Sequence, residues 1–167
     1  NIKGDVVEFG TNKGLIALAI LNYNKKNKIN KKFFLYDTFQ GRVLKYLTKA
    51  EKKFKKQPKY EECFDQVKKT FASFKNVKLV KGKLPGTINK VKLNKISFLH
   101  IDLNSSKAEI LSVTKVWNKI NKGGIILLDD YCYSGYLDTK NAWNKFAKEK
   151  KISILPLPTG QGVIFKN

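Results

Sequence analysis

A chain of 167 residues with 42% hydrophobic content has the length of one domain and enough apolar side chains for a real core, so no second domain is needed. The longest apolar run, 15–21, falls far short of the ~20 residues that cross a bilayer, and no N-terminal signal pattern is present. The sequence therefore reads as soluble and cytoplasmic, with no membrane partner. The formal charge of +21 invites nucleic acid, but of 34 basic residues only Arg42 is arginine, the side chain whose planar fork suits bases and phosphates. Lys, Asn and Ile are abundant together, as a coding bias toward A and T would produce, so a solvated lysine surface is favoured over a functional basic face. Two cysteines without metal-type spacing, Cys63 and Cys132, fit free thiols in a reducing compartment. The absence of any Met, with Asn1 directly before a strand, suggests one domain over 1–167 that lacks an N-terminal segment.

The chain opens with a strand, a glycine-bearing turn from Gly10 to Gly14 and an apolar helix over 15–23. Glycines let the backbone turn sharply and approach a ligand, and the helix start offers free N–H groups. The turn lacks the middle glycine of a dinucleotide fingerprint, so alone it is weak. A second strand over 32–36 ends at Asp37, placed to accept hydrogen bonds from both hydroxyls of a ribose. From Leu44 to Phe74 the pattern is helical with a break at Pro58; Lys49, Lys52, Lys53, Lys55, Lys56 and Lys59 form a wet face, while Tyr60, Phe64, Val67, Phe71 and Phe74 are core contacts. A third strand over 77–81 ends at Gly82, where an adenine ring could meet the backbone or the chain simply turns.

The stretch from Lys95 to Tyr131 organises the rest. A strand over 96–101 runs into Asp102, and another over 125–128 runs into Asp129, Asp130 and Tyr131. Ligands of parallel sheets bind beyond the carboxyl ends of strands, so three carboxylates meet where chemistry is expected. Like charges repel unless a cation is shared among them. Between these strands Ser106 and Glu109 have capping-box spacing, and Ile110, Val113, Trp117 and Ile120 line a core face. His100 shares a strand face with Asp102 and reads as a core histidine first, a support for the site second. A helix over 138–150 with Ala142, Trp143 and Phe146 inward precedes a hairpin-like edge pair, 152–155 and 163–165.

Five motifs in order and register resemble the class I S-adenosylmethionine-dependent methyltransferases, and specifically the macrocin O-methyltransferase family that acts on sugar hydroxyls of macrolides. They are Gly4-Asp-Val-Val-Glu-Phe-Gly10, Tyr36-Asp-Thr-Phe-Gln-Gly41, His100-Ile-Asp-Leu103, Gly123-Gly-Ile-Ile-Leu-Leu-Asp-Asp-Tyr131 and Leu157-Pro-Thr-Gly-Gln-Gly162. The resemblance implies an α/β, Rossmann-like, doubly wound seven-stranded sheet in the order 3-2-1-4-5-7-6, with strand 7 antiparallel and helices on both faces. It implies a magnesium ion on Asp102, Asp129 and Asp130, which are then also the catalytic residues. Cofactor contacts carry over to Glu8, Gly10, Thr11, Asn12 and Gly14 for the methionine end and to Asp37 for the ribose; Thr38, Gly82 and Asp102 complete the cofactor-binding set. Where the family has a second aspartate and a tyrosine, this chain has Asn104 and Ser106, and Asn104 cannot serve as a carboxylate base. The family's N-terminal helices, which make subunit contacts, would precede Asn1, so a homo-oligomer stays open.

The expected activity is methyl transfer from S-adenosylmethionine to a hydroxyl of a sugar or glycosylated small molecule, an in-line displacement that needs alignment and a less protonated oxygen. One rival is a nucleic-acid methyltransferase using the basic surface, against which the fourth strand ends in His100-Ile-Asp-Leu-Asn104 without an Asn-Pro-Pro-Tyr tip. The other is a non-catalytic methyltransferase-fold binding module.

Overall fold

The structure, a computed structural model, describes residues 2–53 and 60–167. Its strands are β1 (Asp5–Phe9), β2 (Phe33–Asp37), β3 (Val77–Lys81), β4 (Ile96–Ile101), β5 (Ile120–Leu128), β6 (Leu155–Pro156) and β7 (Gly162–Phe165). They form one sheet in the order β3-β2-β1-β4-β5-β7-β6. β1 to β5 run parallel, and β7 is antiparallel to both β5 and β6. This is the expected α/β sheet.

Its central strands are apolar on both faces because helices cover both. Val6, Val7 and Phe9 of β1 are at most 2% exposed, and burying each such side chain contributes about 1.5–3 kcal/mol. That gain lets the same strand carry a buried Glu8. Helices α1 (Leu15–Lys26) and α3 (Phe64–Phe71) close one face around Ala17, Leu21, Val67 and Phe71. Helices α4 (Ser106–Val116) and α5 (Leu137–Lys150) close the other around Val113, Trp143 and Phe146. Trp143 Nε1 donates to Glu109 Oε2 at 2.7 Å and ties these two helices together.

Three local expectations are corrected. The segment from Leu44 to Phe74 is not one broken helix: a 3-10 turn at Leu44–Tyr46, a short α2 (Lys49–Lys53) and α3 are separate, and residues 60–63 are non-helical. Pro58, Lys55, Lys56 and Lys59 lie outside the described residues. The cap of α4 is Ser105, whose hydroxyl accepts from Ala108 N, whereas Ser106 is the first helical residue and its N–H donates to Glu51 Oε1 at 2.7 Å. A carboxylate from α2 thus does what the capping box was expected to do, and Glu109 is left to face the core. Strand β5 begins at Ile120, because the Gly123-Gly124 turn is absorbed as an irregularity where the β4–β5 register shifts. Among the described residues no helix is long and apolar enough to cross a membrane.

Candidate active site

The carboxyl ends of β1, β2 and β4 open into a cleft of about 640 Å³ including its mouth. At the end of β1 the chain turns through Gly10 with φ +92°, and a Cβ there would lie 1.7 Å from the Asp102 carbonyl oxygen. Only glycine lets the first turn and the β4 tip approach this closely. Gly14 stands behind the cleft as the residue before α1, with φ +84° and Phe71 against its α-carbon. Asn12 N donates to Asp37 Oδ2 at 2.7 Å, and Phe39 N donates to Asp37 Oδ1 at 2.6 Å. The turn and the second strand tip are therefore welded through one carboxylate, whose remaining lone pairs face the cleft.

Gly10, Asn12, Asp37, Thr38, Gly82 and Asp102 line this cleft, six of the nine residues expected to hold a cofactor. Glu8, Thr11 and Gly14 do not line it. Glu8 is buried, its Oε2 has no hydrogen-bond partner, and burial raises its pKa above the usual carboxylate range. Thr11 Oγ1 is likewise buried and unpartnered. Tyr60, expected in the core, is instead a half-buried wall of the cleft.

Beside the cleft, one oxygen from each of Asp102, Asp129 and Asp130 lies within 4.8 Å of the others. Burial, then the charges of Asp129 and Asp130, push Asp102 up to about 8; burial and Asp129 push Asp130 up to about 7. Asp129 goes the other way, held down by the imidazole of His100 beside it against its own burial. His100 is 3% exposed, with Nδ1 2.9 Å from Glu8 Oε1 and Nε2 3.8 Å from Asp129 Oδ1. Burial pulls its pKa down, but the neighbouring Asp129 carboxylate and the hydrogen-bonded Glu8 outweigh that and lift it to about 9. The histidine is thus both a core residue and a cationic bridge from the first strand to the carboxylate cluster.

Oxygen-only donors at this spacing fit a hard divalent cation. Sequence reasoning missed the groups that hold the cluster in place. Gln161 Nε2 donates to Asp129 Oδ1 at 3.3 Å, Asn104 Nδ2 donates to Asp102 Oδ1, and Tyr136 Oη donates to Asn104 Oδ1. Gln161 lies in a quoted motif and Asn104 was noted only as a departure; their partners depend on loop geometry that has no sequence period.

A Rossmann-like sheet with a glycine turn, an acidic second strand tip and carboxylates at the fourth and fifth tips defines an S-adenosylmethionine-type methyltransferase. More narrowly, this chain belongs to the macrocin O-methyltransferase (TylF) family, whose model matches residues 1–159, and it is an O-methyltransferase. No curated protein matches the chain. Among solved structures, the O-methyltransferase NovP is similar at 16% identity and TM-score 0.87, with 100% of this chain and 73% of NovP covered. CalS11, a TDP-rhamnose 3'-O-methyltransferase of calicheamicin biosynthesis, is similar at 15% identity and TM-score 0.71, covering 98% of this chain and 72% of CalS11. The SAH-bound methyltransferase PaMTH1 of Podospora anserina shares 15% identity and TM-score 0.69, with 98% and 72% covered.

Proposed function

We propose that this O-methyltransferase is magnesium-dependent and that its acceptor is a hydroxyl of a sugar or glycoside. The observation that carries the metal is the cluster of Asp102, Asp129 and Asp130 at the strand tips beside the cleft. The sugar follows from the family and from CalS11.

In this reading Asp37 accepts the ribose hydroxyls, Gly82 borders the adenine, and the Gly10–Gly14 turn presents backbone to the methionine end. Glu8, buried outside the cleft lining, supports the methionine end from behind, and His100 stands between Glu8 and Asp129. Asp102, Asp129 and Asp130 would hold magnesium, which stabilises negative charge on a nearby acceptor oxygen. The acceptor oxygen forms its bond to the methyl carbon as the sulfur–carbon bond breaks and its electron pair stays on the sulfur of S-adenosylhomocysteine; the hydroxyl proton is released to solvent. Alignment of the two substrates supplies much of the rate, and the rigid strand tips provide it. Two unpaired cysteines suit the cytoplasm as the compartment for this activity.

The test is an assay of S-adenosylmethionine with free glycosides and sugar nucleotides, with magnesium or with EDTA, reading methylated product by mass spectrometry. Magnesium-dependent methylation of a sugar hydroxyl is expected. Turnover that EDTA leaves untouched would remove the metal from the reading, and activity confined to acceptors without a sugar would remove the glycoside.

A further inference from the structure

Arg42 is the one arginine among 34 basic residues, and it does not stand on the solvated lysine face. It lines the cofactor cleft in the loop after β2, half-buried, one residue past Gly41 and on the same wall as Tyr60. Burial raises the Tyr60 phenol to about 12. Arg42 shares this cleft with Asp102, and Glu51, whose carbonyl it holds, accepts through Oε1 from the Ser106 N–H just past the β4 tip, so the guanidinium stands on the acceptor side of the cleft.

A guanidinium has five N–H donors and desolvates cheaply only when they are satisfied. Among the described residues Arg42 makes a single hydrogen bond, from Nη1 to the Glu51 carbonyl at 3.2 Å, and no ion pair. The rest of the fork is unused. Where coding bias makes Lys the default cation, a lone planar fork in a cleft points to a bidentate partner, for which a point charge is a poor substitute.

We propose that Arg42 is an oxyanion-binding site at the acceptor end of the cleft, so that the methyl acceptor is an anionic sugar derivative, phosphorylated or carboxylated. This rests on the O-methyltransferase reading of the same cleft. Three carboxylates would repel such an acceptor. A fixed guanidinium beside them offsets that repulsion locally, while the net charge of +21 draws the anion in from solution.

The test is calorimetric titration of inorganic pyrophosphate, and separately of glucuronate, into protein saturated with S-adenosylhomocysteine at fixed ionic strength. Wild type is compared with Arg42→Gln, Arg42→Lys and, as a control for bulk charge, Lys78→Gln on the exposed side of β3. Wild type is expected to bind one of the anions, with affinity about tenfold or more weaker in Arg42→Gln, also reduced in Arg42→Lys, and unchanged in Lys78→Gln. The anion bound more tightly identifies the acceptor's group as phosphate or carboxylate. Equal anion affinity in wild type and Arg42→Gln overturns the proposal. So does a loss of S-adenosylhomocysteine affinity alone, since it would assign Arg42 to the cofactor's own carboxylate. If wild type fails to bind S-adenosylhomocysteine, the methyltransferase reading fails separately, and the same titrations on the free protein still decide Arg42.

Discussion

The cleft and the carboxylate cluster beside it, proposed as the cofactor end and the acceptor end of one site, are built on different principles. At the cofactor end, backbone does the work: Asp37 is anchored by the N–H groups of Asn12 and Phe39, and the turn is shaped by Gly10 and Gly14. At the acceptor end, side-chain charge does it: Asp102, Asp129 and Asp130 crowd together, with His100 the cation that bridges them to Glu8. The first end is complete once the chain has folded. The second keeps a repulsion that folding does not relieve, and a cation would relieve it.

Breaking the contact between the two ends should have the largest effect. Gly10→Ala places a Cβ 1.7 Å from the Asp102 carbonyl oxygen at a φ that side chains avoid, so a loss of about 3 kcal/mol or more in urea unfolding is expected. Disabling the acceptor end alone comes next. Asp129→Ala should cost about 100-fold or more in magnesium-dependent turnover, while calorimetry still finds S-adenosylhomocysteine bound; full activity in that variant would contradict the metal role. The converse, Asp37→Ala, removes the side chain proposed to accept from the ribose, a bond worth about 1.5–3 kcal/mol, so S-adenosylhomocysteine should bind ~10–100-fold more weakly while manganese binding is unchanged. A loss of both would show that the ends are not separable.

The smallest effect is a change of slope with pH. Glu109 lies under the acceptor end, and burial raises its pKa from 4.5 to about 8. Between those values the folded protein holds a proton that the unfolded chain has released, so this group's contribution to stability falls as pH rises from 4.5 to 8. Glu109→Gln should flatten that fall in urea titrations across the same window; an unchanged slope would place the titration elsewhere.

The difference between the ends also explains what could be read in advance. The carboxylates at the tips of β4 and β5 were legible because short apolar runs with charged ends have a length and a period, whereas the sheet order was legible only through the family resemblance. Asp37 was legible as a strand-tip acid after a glycine turn. The helical spacing from Tyr60 misled at Tyr60 alone, which serves the cleft wall; Val67 and Phe71 are buried in the core and Phe64 and Phe74 pack against it. The cap of α4 slipped by one residue because Glu51, distant in sequence, satisfies the Ser106 N–H. His100 offered both its roles through the period-two rule, but Asn104, Tyr136 and Gln161 could not be read, as each is defined by a partner on another element.

The most direct test of the claim that the acceptor end is built around a cation is a manganese titration followed by electron paramagnetic resonance, on wild type and Asp129→Ala. One bound ion in wild type, and none or a much weaker one in the variant, is the predicted result. Manganese that stays free with wild type, or binds the variant equally well, would contradict it and leave the three aspartates without a metal to hold.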